Sequence, residues 1–247
     1  MNLSAELLFD AAESIVRQVR ATQLPAIKQA ADLLAARCHE DGVIHIFGAG
    51  HSRAFAMELA GRAGGVACTH IIGLEEGAQA EGRKGTPINL PDLERDPATA
   101  HKLLELINLH PSDAFVIVSN SGRNGAPVEL ALEVKRRSMP VVAVTSLNHS
   151  RATESRHPSG KRLFEIADVV IDNCCPYGDT LFDLPGTRLK ACSASSIAGA
   201  FIAQALTAEL IARLVAMGGV PPIFISANVD GSDEHNAAIQ KRYEGRI

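Results

Sequence analysis

Two short turns in this chain set small hydroxyl side chains beside glycine in a pattern that suits an anion. Gly48-Ala49-Gly50-His51-Ser52 follows an apolar run and precedes a helical pattern. Ser119-Asn120-Ser121-Gly122-Arg123-Asn124-Gly125 follows another apolar run and precedes a helix that takes Pro127 in its first turn. Glycine lets the backbone approach a ligand closely, and a helix start offers unpaired N–H groups at the positive end of its dipole. Serine and asparagine add directed hydrogen bonds, so the second turn can cradle an anion without lysine or metal. Capping explains one serine of that turn, not both Ser119 and Ser121. The first turn has Arg53 where a dinucleotide fingerprint needs its third glycine, and no ribose-binding acid stands about twenty residues on. No nucleotide cofactor is expected.

Both turns require a strand before them and a helix after them, and the hydrophobic pattern supplies these. Short apolar or β-branched runs fall at residues 43–47, 67–72, 114–118, 141–145 and 169–172, and helical patterns at 52–63, 97–109, 127–137 and 193–217. This alternation predicts an α/β fold: a parallel sheet of about five strands with helices on both faces and right-handed connections. Ligands of such sheets bind beyond the carboxyl ends of the strands, where the two turns lie. Before the sheet, residues 1–41 read as a helical hairpin whose second helix is opened by Pro25 and ended by Gly42. The expected organisation is a single domain, with the α/β core at 42–218 and a C-terminal tail at 219–247. Three long segments, 75–96, 148–161 (with Arg151, Arg156, His157 and Lys161) and 173–190, read as lids, subunit contacts or disordered segments.

Composition narrows the function. With 247 residues, 46% of them hydrophobic, the chain can bury a full core. A net charge of -4 without a basic stripe, and 4% aromatics without tryptophan, argue against a nucleic-acid partner. Cys38, Cys68, Cys174, Cys175 and Cys192 form an odd set with neither a disulfide framework nor zinc-knuckle spacing, and the vicinal pair reads as buried small hydrophobes. The first ten residues carry acids rather than a basic n-region, so no signal peptide is read and a cytoplasmic location is expected. Residues 191–208 hold no charge and approach the length of a membrane span, but Ser193, Ser195, Ser196, Gln204 and Thr207 interrupt them and Glu209 and Arg213 follow. No membrane partner is expected. A helix so poor in charge is instead one buried against the sheet and against a second subunit, in a homodimer or homotetramer.

The two turns, the Pro-Val-Val-Ala-Val-Thr run from Pro140 and the Leu-Phe-Glu-Ile-Ala-Asp-Val-Val-Ile run from Leu163 together resemble a sugar isomerase (SIS) domain. Glu-Leu-Ala-Gly-Arg, from Glu58 to Arg62, is similar to the phosphoheptose isomerase helix that carries a catalytic glutamate. The resemblance implies a flavodoxin-like fold, a sugar-phosphate ligand and sites completed across subunits. It places the phosphate on Ser52, Ser119 and Ser121, with Asn124 at a small polar position and Gly50, His51 and Gly122 around it, and it places the catalytic glutamate on Glu58. Helix geometry is compatible, since six residues span roughly 9 Å and side chains lean towards the helix start. Zinc-binding members have a histidine where this chain has Ala54, so no cofactor is expected and zinc lacks that ligand. Their second catalytic group is a histidine on the late helix, which here has none. His235, in a polar cluster near the C-terminus, is the histidine chosen for that role, with His51 next. The implied activity is aldose-ketose isomerisation of a sugar phosphate. The rivals are a non-catalytic phosphosugar sensor and a SIS etherase acting on an amino-sugar phosphate.

Overall fold

Apolar runs too short for helices become the strands β1 (Ile44–Gly48), β2 (Thr69–Ile72), β3 (Ala114–Val118), β4 (Val141–Thr145) and β5 (Val169–Asp172). These are seen in a computed structural model that describes residues 3–75 and 90–247. β1, β3 and β4 are buried at every position, as strands covered on both faces must be. All five pair in parallel in the order β2-β1-β3-β4-β5, the flavodoxin-like arrangement, with His45 opposite both His70 and Phe115. The order reverses at β1, and beyond the carboxyl ends of β1 and β3 lies the crevice that such a reversal leaves open.

Strand alternation sorts the core into two layers. Val116, Val118, Val142 and Val144 point to one face, where they meet α1 (Ala5–His39), α2 (Arg53–Leu59) and, later in the chain, α7 (Ser195–Ala216) through Leu34, Phe55, Ile202 and Leu206. Phe115, Ile117 and Ala143 point to the other, under α4 (Ala98–Glu105) and α5 (Gly125–Arg136), which contribute Leu103, Leu130 and Val134. The remaining helices are short: α3 (Leu90–Arg95), α6 (Leu147–Arg151) and α8 (Ser232–Lys241). α7 is long and apolar enough to cross a membrane, but Ala198, Ile202, Leu206 and Leu210 are buried in the protein.

The structure departs from the sequence pattern in four places. The expected N-terminal hairpin is one helix, α1, with Pro25 inside it. A proline forfeits one helical hydrogen bond at a cost of about 3 kcal/mol, but Val19 and Ile27 on either side of it are both buried, and only a continuous helix keeps them on one face. α2 stops at Leu59 rather than residue 63, because Gly61 and Gly64 adopt left-handed backbone that a helix cannot contain. Within 173–190 an antiparallel hairpin forms from β6 (Thr180–Asp183) and β7 (Lys190–Ser193). The stretch 219–247 contains α8 and returns to the core, where Tyr243 is buried. Most of the segment 75–96 lies outside the described residues. Cys174 and Cys175 are buried free thiols, as expected, and the fold also brings the thiols of Cys38 and Cys68 together, sulfurs 2.6 Å apart.

At the amino edge of the sheet, the fully buried His45 lies 3.1 Å from His70 Nδ1 and 3.2 Å from Asp113 Oδ2. Asp113 also accepts hydrogen bonds from the N–H groups of Val43 and His110 and from Arg246. Burial pushes its carboxyl up, but the bonds from His45, Val43 and His110 outweigh burial and hold it at about 2. Burial, and then the charge of His45, lower His70 to about 4. The folded state therefore resists protonating His70, whereas the unfolded chain takes up that proton near pH 6.5. The stability that His70 contributes is complete above pH 6.5 and is lost as the pH falls towards 4. Thermal melts across this window should show a steeper acid-side fall in the wild type than in His70→Gln; parallel curves would contradict the assignment.

Candidate functional site

A narrow cleft, about 20 Å³ in cavity volume, opens at the carboxyl edge of the sheet. The turn after β1 lines it with His51 and Ser52, α2 with Phe55, and β3 and β4 with Val118, Asn120 and Val144. Asn173, just after β5, and Ser195, Ser196 and Gly199 of α7 complete it.

The first turn can form only with glycine at position 48, where a Cβ would lie 2.4 Å from the Ser52 carbonyl oxygen. Gly50 adopts a positive φ of 53°, and one turn of 3-10 helix (Gly50–Ser52) then delivers Ser52 to the cleft with its hydroxyl uncommitted to capping. In the second turn, alternation sends neighbouring side chains to opposite faces. Asn120 enters the cleft, while Ser119 is buried on the other side, its Oγ accepting the Gly122 N–H at 3.2 Å. Gly122 has φ 58°, and a Cβ there would sit 3.0 Å from Ser150 Oγ and 3.1 Å from Thr145 Oγ1.

Asn120 is held from three sides. Its backbone carbonyl accepts the Ser146 N–H at 3.0 Å and the Thr145 hydroxyl at 3.2 Å, and its Oδ1 accepts from Asn173 Nδ2 at 2.8 Å. Asn173 cannot turn over, because its own Oδ1 accepts the Cys175 N–H at 3.0 Å. The network therefore fixes Asn120 with its two Nδ2 hydrogens free of protein partners among the described residues. The hydroxyls of Ser121 and Ser196 are likewise free among those residues. Arg123, in the same loop, has a buried Nε without a partner and no carboxylate beside its guanidinium among the described residues. Burial, and then the Arg123 charge, hold His149 of α6 below its ordinary value. A cation without a partner among the described residues, in the same loop as a free hydroxyl and a fixed amide donor, suits an anion.

The other residues expected at the site are placed differently. Asn124 is committed to the protein: its Nδ2 donates to Glu94 at 2.7 Å and its Oδ1 accepts from Arg156 at 2.9 Å, so it anchors the loop. Glu58, in the last turn of α2, does not line the cleft; its carboxylate accepts from Arg62 and, at 2.7 Å, from Gln204 Nε2. His235 bonds the Ile223 carbonyl at 2.9 Å, and Ile223 bridges to Val66 at the amino edge of the sheet. The structure therefore does not bring His235 to the turns, whereas His51 lines the cleft. Asn120, Asn173, Ser195 and Ser196 are site residues that motif reasoning passes over. Their signal in the sequence is position alone, at the end of a strand or the start of the uncharged helix.

The α2 residues do not fit a zinc ion, since Ala54 offers no ligand atom and Arg62 already occupies Glu58. Elsewhere among the described residues, His101, Glu129 and Glu133 converge closely enough to hold a cation. There Arg136 bonds both carboxylates and His157 lies 2.6 Å from Glu129, so the acids are already matched by basic groups.

The strain at Gly122 yields a direct test. Gly122→Ala puts a Cβ into left-handed backbone against Ser150 and Thr145, and should lower stability in urea titration by about 1–3 kcal/mol. An unchanged midpoint would mean that the loop is not held as described.

The sequence profile of the SIS domain matches residues 8–146, more than half of the chain. A UPF0309 protein from Caldanaerobacter subterraneus subsp. tengcongensis is 39% identical over 235 residues, covering 94% of each chain. Another, from Listeria monocytogenes serovar 1/2a, is 37% identical over 97% of each. Among solved structures, phosphoheptose isomerase from Neisseria gonorrhoeae superposes with a TM-score of 0.56 at 17% identity, covering 84% of this chain and 96% of that one. A phosphoheptose isomerase from Francisella tularensis gives 0.53 at 16%, covering 84% and 98%. At these identities the structural likeness concerns the fold.

Proposed function

The chain belongs to the SIS domain family, and on that premise we propose that its cleft binds a sugar phosphate, with the phosphate at the two strand-end turns. One observation carries this reading: the Arg123 guanidinium, with a buried Nε and no carboxylate partner among the described residues, belongs to the same loop as the Ser121 hydroxyl, free among those residues, and the fixed Asn120 donor. Inorganic anions would satisfy these groups, but the cleft that Asn120 enters is also lined by Ser195 and Ser196, which suits a ligand with a polyol beyond its phosphate. Ser121→Ala should lose one charge-assisted hydrogen bond, about 1.5–3 kcal/mol, or roughly 10- to 100-fold in phosphosugar affinity. Calorimetry that finds unchanged affinity would remove the phosphate from this turn.

The chemistry we propose is aldose-ketose isomerisation. Moving a proton between adjacent carbons needs a base and a second group that handles the hydroxyl proton. Glu58 is the proposed base, and His51, the ionisable side chain that lines the cleft, takes the histidine role. Within one chain Glu58 faces Gln204, one helical turn from the exposed Phe201, and Met57 beside it is 62% exposed. An apolar groove formed by Leu8, Phe9, Ala12, Val16, Ile197 and Phe201 continues this face. An exposed apolar groove beside Phe201 and Met57 suits an interface, and we propose that a second copy covers it, bringing Glu58 to the cleft of its partner.

The engagement of Glu58 by Arg62 and Gln204 favours one rival, a phosphosugar sensor without turnover. Incubation with a panel of sugar phosphates, followed by product analysis, separates the two. If the protein is an isomerase, Glu58→Gln should keep ligand binding and lose about 10²- to 10⁴-fold in turnover. Wild-type turnover in the variant would eliminate Glu58 as the base, and no turnover in either protein would leave the sensor. Light scattering should find at least a dimer, and Phe201→Glu should dissociate it; a monomeric wild type would contradict the interface.

A further inference from the structure

The far end of the cleft has a polarity of its own, set by an element that sequence patterns do not reveal. The β6–β7 hairpin pairs Thr180 with Ser193, and this register brings Asp179 against the first turn of α7. Asp179 holds a left-handed backbone (φ 59°), uncommon for a residue with a side chain. Its Oδ1 accepts the N–H groups of Ala194 at 3.2 Å and Ser195 at 2.8 Å, and its Oδ2 accepts the Ser195 hydroxyl at 2.6 Å. The last distance lies in the range of a charge-assisted O–H···O⁻ bond.

Two consequences follow for a ligand. The proton of Ser195 is committed to Asp179, so the oxygen that Ser195 presents to the cleft can only accept a hydrogen bond. Across the cleft, Asn120 is fixed by Asn173 as a donor. A group held between a fixed acceptor and a fixed donor must both donate and accept, which describes a hydroxyl. The carboxylate of Asp179 also neutralises the positive end of the α7 dipole, a place that would otherwise attract phosphate. The α7 end of the cleft therefore presents a buttressed acceptor beside a negative charge, whereas the two strand-end turns present the Ser52 hydroxyl and the Asn120 amide.

We infer that Asp179 is a positioning residue, which turns Ser195 into a reader of a ligand hydroxyl and so fixes the ligand's direction, with phosphate at the Ser121–Arg123 turn and polyol at α7. The inference rests on the phosphosugar reading of the cleft and adds the orientation and the hydroxyl subsite. A residue that merely capped α7 would affect stability and leave ligand discrimination unchanged.

The test is calorimetry on the full chain with inorganic phosphate and with three phosphorylated sugars: D-arabinose 5-phosphate, D-glucitol 6-phosphate and D-sedoheptulose 7-phosphate. Ser195→Ala keeps both backbone bonds to Asp179 and so keeps the cap. It should weaken the tightest of the three sugar phosphates about tenfold while leaving inorganic phosphate within about twofold. Asp179→Asn should cause a similar selective loss, and the double variant should be no worse than the weaker single variant, because both act through one hydroxyl. Ser195→Thr should restore binding. If Asp179→Asn unfolds, Ser195→Ala and Ser195→Thr still decide the matter. Wild-type affinity for the sugar phosphate in Ser195→Ala would overturn the subsite and leave the phosphate end standing. Equal loss of sugar phosphate and inorganic phosphate would also overturn it. A wild-type protein that bound none of the four probes would overturn the phosphosugar reading, and this inference with it.

Discussion

The hydrogen bond from Asn173 to Asn120 is the contact on which the cleft depends. It joins the end of β5 to the end of β3, while the Asn120 carbonyl, receiving Ser146 and Thr145, adds the end of β4. A parallel sheet leaves its strands free to diverge once the ladder stops. Here three strand ends are tied together by one side-chain amide and one carbonyl. Because Asn173 is itself oriented by the Cys175 N–H, the donor face of Asn120 is determined before any ligand arrives. Such preorganisation spares a ligand the cost of ordering the group that binds it.

Buried polar groups gather at both edges of the sheet. At the amino edge, Asp113 has partners in His45, Arg246 and two backbone N–H groups, and the cluster ties the returning C-terminal segment to β1 and β3. At the carboxyl edge, Arg123 Nε is buried without a partner and serine hydroxyls stand free among the described residues. Buried polar atoms without a partner occur at both edges, Arg246 Nε and Tyr243 OH among them, so what sets the carboxyl edge apart is its cleft lined by hydroxyls and a fixed amide.

Much of this was legible in the sequence because it rests on local pattern. The five strands follow from short apolar runs, and the glycines of the two turns mark where the backbone must come close or turn left-handed, as the contacts at Gly48 and the positive φ at Gly122 confirm. What pattern could not show was what distant segments do to one another. Pro25 reads as a helix start until the buried residues on both sides of it are seen to share a face. Asn124 reads as a free polar residue until Glu94 and Arg156 claim it. Glu58 is recognisable on its helix, but its distance from the cleft depends on α2 being only seven residues long and on Gln204 of α7. Asp179 and Asn173 stand in segments without periodicity, and their roles arise from a hairpin register and a strand end that sequence does not announce.

The central claim is that the Asn120 amide, fixed by Asn173, faces the ligand. It is tested most directly by following the side-chain ¹⁵N amide resonances of the full chain during titration with D-sedoheptulose 7-phosphate. The Asn120 Nδ2 signals should shift in saturable fashion. Those of Asn236, whose Nδ2 is bonded to the Ile225 carbonyl, should stay fixed. Saturable binding that moved Asn236 and left Asn120 unchanged would contradict the account.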